Sequence, residues 1–71
     1  MDEIEAKEAW AEIMGAAIDH KTRGIKLRKG VLNIQLDSGV LKEEFSFAKD
    51  KIKILINEKV GREVVREVQI W

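Results

Sequence analysis

The sequence predicts an α+β fold in two layers, with elements in the order α-β-β-α-β and both helices on one face of a three-stranded sheet. Three observations predict it. Apolar residues recur at intervals of three and four in two long segments, they alternate with polar ones in three short segments, and the alternating segments are apolar on one side only.

The first long segment holds Trp10, Ile13, Met14, Ala17 and Ile18, with Ala6 one turn earlier, and predicts a helix over residues 3–19. Its early carboxylates suit the positive end of a helix dipole, and the cations from Lys21 onward suit the negative end. Gly15 inside this helix is read as a point of close packing against a neighbouring element. The pattern then changes period. Ile25 and Leu27 alternate with Lys26 and Arg28, and Leu32, Ile34 and Leu36 alternate with Asn33 and Gln35. Between these strands Lys29-Gly30 forms the turn of an antiparallel hairpin, where glycine supplies positive φ. Asp37-Ser38 then offers capping oxygens to a second helix over residues 38–60, whose apolar positions are Leu41, Phe45, Ala48, Ile52, Leu55 and Ile56. Gly61 ends that helix, and Val64, Val68 and Ile70 form the third strand.

A chain of 71 residues holds one domain at most, here residues 1–71, because so short a chain has room for one core. It contains no cysteine, which leaves packed side chains to supply stability and suits a reducing cytoplasm. No apolar run approaches the roughly 18 to 20 residues needed to cross a bilayer. Thirteen basic residues balance thirteen acidic ones, so distribution is more informative than net charge. Acids crowd the first twelve residues, whereas residues 20–30 carry Lys21, Arg23, Lys26, Arg28 and Lys29 with no acid.

An ordered set of landmarks carries a resemblance. Trp10, Met14-Gly15, Ile18, His20 and Thr22 are followed by Lys29-Gly30-Val31-Leu32, Ile34 and Leu36, then by Ser38, Leu41, Glu44-Phe45, Ile52, Asn57, Gly61 and a valine-rich end. Across residues 4–70 this set resembles the DciA family, whose N-terminal domain looks like a truncated type II KH fold and acts on the replicative helicase of bacteria. The resemblance implies an interaction module of DNA replication that binds the helicase and also single-stranded DNA, assisting helicase loading. Many family members carry extra helical residues or a basic or zinc-bearing extension; this chain has neither and reads as a short member or a trimmed piece. A KH domain clamps nucleotides with a Gly-x-x-Gly loop between two helices, and residues 38–60 read instead as one helix without that loop.

Read from the residues, the basic segment Lys21, Arg23, Lys26, Arg28 and Lys29 is the candidate nucleic-acid surface. Cations on the open face of a strand can follow a phosphate backbone and release its counterions. Lys26 and Arg28 point together, Asn33 and Gln35 extend the polar face, and Glu67 partly opposes it. Stacking rings are scarce: only Trp71 has the parity to reach that face, so binding is expected to be weak and salt-sensitive. Phe47 and Ile54 lie roughly 130° to 150° from the centre of the second helix's apolar arc at 100° per residue. With Val40 they form a second stripe at heptad spacing, a candidate surface for a protein partner or a second copy.

His20 with Thr22 has no further metal ligand at a useful spacing and is assigned to structure, and no cofactor is expected. Trp10 is read as the large core filler. No nucleophile with its base, tuned carboxylate pair or phosphate loop can be assembled, so no enzyme is expected. Two other readings stand beside the helicase adaptor: a KH-like RNA-binding protein, and a self-associating structural domain without nucleic acid.

Overall fold

The computed structural model describes residues 2–71. Elements follow in the order α1 (Asp2–Met14), α2 (Ala16–Asp19), β1 (Thr22–Arg28), β2 (Val31–Leu36), α3 (Gly39–Ser46), α4 (Lys49–Val60) and β3 (Glu67–Ile70). The sheet order is β1-β2-β3, with β1 antiparallel and β3 parallel to the central β2. The expected α+β class, helix-strand order and three-stranded sheet are all present, although each expected helix is divided in two.

The first division falls at Gly15, whose φ of 85° is left-handed, and it corrects the reading of one helix over residues 3–19. Close packing is not the reason for this glycine, since a Cβ added there would meet nothing within 4 Å. Instead the glycine turns the chain, so that Ile18 packs against the core while Ala17, expected on the buried face, is exposed. The second division falls at Phe47 and Ala48, where Ala48 leaves helical geometry with φ −120° and ψ 20°. A straight helix from 38 to 60 would run roughly 35 Å at 1.5 Å per residue. The described residues extend 30 Å along their longest axis, less than that rod, and the break lets Leu41 of α3 pack against the same core as Ile56 of α4. Bonds spanning three residues close the last turn of α3, from Phe47 N–H to Glu44 O at 3.3 Å and from Ala48 N–H to Phe45 O at 3.0 Å.

Other punctuation is as the residues dictate. Ser38 caps α3 by accepting from Leu41 N–H at 3.3 Å, and Gly61 ends α4 in the left-handed region at φ 94°. Lys29 and Gly30 both take positive φ, at 52° and 82°, as a two-residue hairpin with right-handed strand twist requires. The third strand is shorter than expected. Val64 and Val65 are buried, but their N–H groups both donate to Asn57 Oδ1 at 2.9 Å, so they do not extend the ladder.

One contiguous core lies between helices and sheet. Ala6, Ala9 and Trp10 of α1 and Ile52 and Ile56 of α4 meet Ile25, Leu32, Ile34, Leu36 and Val68 of the strands, with Val64 and Val65 closing one end. Leu55, expected among the buried positions of the second helix, is half-buried and lies outside this cluster. Trp10 is fully buried, packs edge-on against Phe45 at 5.5 Å between ring centres, and donates its Nε1–H to Thr22 Oγ1 at 2.9 Å. Thr22 in turn donates to the Ile18 carbonyl at 2.9 Å, so one hydroxyl ties α1, α2 and β1 together. His20 caps the end of α2 with its backbone N–H on Ala16 O, and its side chain is exposed.

Candidate nucleic-acid and partner surfaces

With the helices on one face, the other face of the sheet is open. The pairing registers align its side chains in rows: Arg28, Val31 and Glu67 form one, and Lys26, Asn33 and Gln69 the next. A third row comes from Gly24 opposite Gln35, with Trp71 beyond. Trp71 lies past the end of β3, yet its N–H donates to Ile34 O at 2.8 Å and its carbonyl accepts from Leu36 N–H at 3.0 Å. These two bonds continue the parallel ladder by one residue and place Trp71 beside Gln35, on the outer face that its parity predicts.

Lys26 and Arg28 are exposed on this face, one pleat apart. Lys29 occupies the hairpin tip, and Lys21 precedes the strand. Arg23 sits where the register shifts between Thr22 and Gly24, and there it pairs with Asp37 at 3.3 Å. Among the described residues the other four cations have no carboxylate within 4.0 Å, although Asp2 and Glu63 line a concavity with Lys29 and Glu67 closes the row of Arg28. A further cation joins the tip. Arg66 N–H donates to Gly30 O at 2.7 Å, and the Arg66 side chain covers Gly30, lying 3.0 Å from where a Cβ would stand. The sequence reading missed Arg66 because thirty-six positions separate it from Gly30; only the parallel pairing of β2 with β3 joins them.

Charge of the opposite sign collects on the helical side. A concavity of about 670 Å³ between α1 and α4 is lined by Glu5, Glu8 and Glu12 together with Lys59 and Arg62. Arg62 reaches Asp2 at 2.7 Å and Glu5 at 3.0 Å, and Lys59 reaches Glu12 at 3.0 Å. The hydrogen bond and charge of Asp2, aided by Glu5, hold the Arg62 guanidinium pKa above its ordinary value. Arg62 thus fastens the start of α1 to the segment just after α4, Lys59 fastens the last turn of α1 to that of α4, and the carboxylates around them repel a polyanion. Glu3 does a different job: its carboxylate accepts the Leu27 N–H at 3.0 Å, which occupies part of the free edge of β1.

On α3 and α4 the apolar residues off the core are exposed: Phe47 at 86%, Val40 at 69% and Ile54 at 52%. The break at Phe47–Ala48 removes the continuous heptad seam expected along residues 38–60. Val40 and Phe47 belong to α3 and its cap, and Ile54 to α4. The junction also corrects the expectation of one helix where a KH fold has two, but it reads Ser46-Phe47-Ala48-Lys49 and has no Gly-x-x-Gly. Among the described residues no three His, Cys, Asp or Glu side chains gather as a metal site, and no helix is long and apolar enough to cross a membrane.

The described residues thus form a two-layer α+β domain with Lys26 and Arg28 on an open sheet face and exposed apolar residues on α3 and α4. The chain matches the family described as Dna[CI] antecedent, DciA, over residues 1–70, and it belongs to the DciA family. That is the operator and loader family of the helicase in DNA replication, and it is not known as an enzyme family. No curated protein and no solved structure matches the chain.

Proposed function

We propose that this chain is an adaptor that docks on the replicative helicase through the α3–α4 junction and weakly holds single-stranded DNA along the outer sheet face, helping the helicase onto its template in the cytoplasm. The observation that carries the docking half is the exposure of Phe47, 86% accessible beside a helix break. Leaving a phenylalanine ring in water forgoes about 1.5–3 kcal/mol of burial, which a partner could recover. Val40 of α3 and Ile54 of α4 supply further exposed apolar surface on the two helices that flank Phe47.

The DNA half rests on Lys26 and Arg28, exposed on the open sheet face, with Lys21 and Arg23 at the start of β1 and Lys29 at the hairpin tip. Four cations outside ion pairs among the described residues imply a salt slope no steeper than about −3 for a single strand, so affinity is modest and falls quickly with salt. The test is a helicase pull-down alongside oligonucleotide titrations. A Phe47→Ser, Ile54→Ser double variant is expected to lose the helicase while keeping DNA, and Lys26→Glu, Arg28→Glu the reverse. Retention of helicase by the first variant would remove the junction from the docking surface. A preference for RNA over DNA of equal length at two salt concentrations would favour a KH-like RNA-binding role instead.

A further inference from the structure

Taking the outer face as a track for a single strand, we propose that Trp71, Gln35, Asn33 and Gly24 form a subsite on it that receives one unpaired nucleobase. These residues and Lys26 line a depression of about 320 Å³. Trp71 is 60% exposed, and its Nε1–H donates to Asn33 Oδ1 at 3.1 Å. That bond uses the edge of the indole and holds it against the sheet, which leaves the π-face for stacking. Gln35, exposed beside Trp71, has no side-chain hydrogen-bond partner among the described residues; its amide presents a donor and an acceptor side by side, as a base edge requires.

Gly24 supplies the opening. Its φ is outside the left-handed region and a Cβ there would meet nothing within 4 Å, so neither backbone strain nor packing calls for glycine. What the missing side chain does provide is space on the same outer face, across Gln35 from Trp71, where a flat ligand can approach the backbone. The occupant is a base of a nucleic acid because Lys26 stands at the rim and Arg28 one pleat on, both without a carboxylate partner among the described residues. A neutral peptide would leave those charges unanswered.

The experiment compares a short oligothymidylate with an abasic phosphodiester of equal length and charge, titrated into the full chain at one salt concentration. Wild type is expected to prefer the base-bearing strand by about tenfold, the scale of one stacked base. Trp71→Ala should bind both strands equally at the abasic level, and Trp71→Phe should keep most of the preference. Gly24→Thr, which fills the depression without touching the core, should also lose it while retaining the wild-type melting temperature. Equal binding of both strands by wild type, with binding still abolished by Lys26→Glu, Arg28→Glu, would overturn the base subsite and leave the phosphate track standing. A preference that survives in Trp71→Ala would also overturn it. Failure of wild type to bind either strand would remove the track and the subsite together.

Discussion

Asn57 organises more backbone than any other single side chain here. Its Oδ1 accepts from Val64 and Val65, its Nδ2–H donates to Val65 O at 2.9 Å, and its own carbonyl receives Gly61 N–H. Replacing it by alanine strands two buried valine N–H groups, so Asn57→Ala is expected to cost about 2–3 kcal/mol, read as a lowered urea midpoint at unchanged m. Asn57→Asp keeps the acceptor and should cost less. Thr22 is the parallel case in the core. Thr22→Val leaves the Trp10 Nε1–H without its partner and should destabilise by about 1–2 kcal/mol, whereas Thr22→Ser should cost under half of that. Neither role was legible beforehand. The sequence marks Asn57 and Thr22 as landmarks, but a hydrogen-bond partner is fixed only when the chain folds back on itself.

At the scale of elements, the glycine at position 15 makes the sharpest distinction between pattern and structure. In a helix interior, Gly15→Ala would stabilise by about 1 kcal/mol. At the φ of 85° found here it should instead destabilise by about 1–2 kcal/mol, because an L side chain meets its own backbone in the left-handed region. The sign of the shift in a chemical denaturation midpoint decides between one helix and two. The expected single helix over residues 38–60 failed for a related reason. Its apolar period passes through Ala48 without interruption, and periodicity carries no information on the diameter of the core it must wrap. By contrast, the hairpin and its turn at Lys29-Gly30 were legible, since the turn residues and the flanking alternation are local instructions, whereas the positive φ of Lys29 and the register shift between Thr22 and Gly24 were not.

For the molecule as a whole, the proposed function assigns helicase docking to the α3–α4 junction and single-strand binding to the open sheet face, and variants should separate accordingly. Phe47→Ser and Ile54→Ser act on exposed side chains and should leave stability within about 0.5 kcal/mol of wild type while abolishing helicase association, checked by thermal melting and pull-down together. Lys26→Glu, Arg28→Glu likewise should fold normally and lose the salt-dependent part of single-strand affinity. The ion pairs of Arg62 with Asp2 and Glu5 close the helical layer, but all three are half-exposed, so Arg62→Ala should lower the melting temperature slightly at low salt and not at high salt.

Periodicity, turn residues and caps by themselves determined the α+β class, the element order, the open cationic face and the exposure of Val40, Phe47 and Ile54, because each is written in residues a few positions apart. The tertiary structure alone decided the parallel placement of β3, the two helix breaks, the approach of Arg66 to Gly30 and the seating of Trp71 beside Gln35. Those features depend on which distant segments share a core of fixed size, and that is settled by packing between elements.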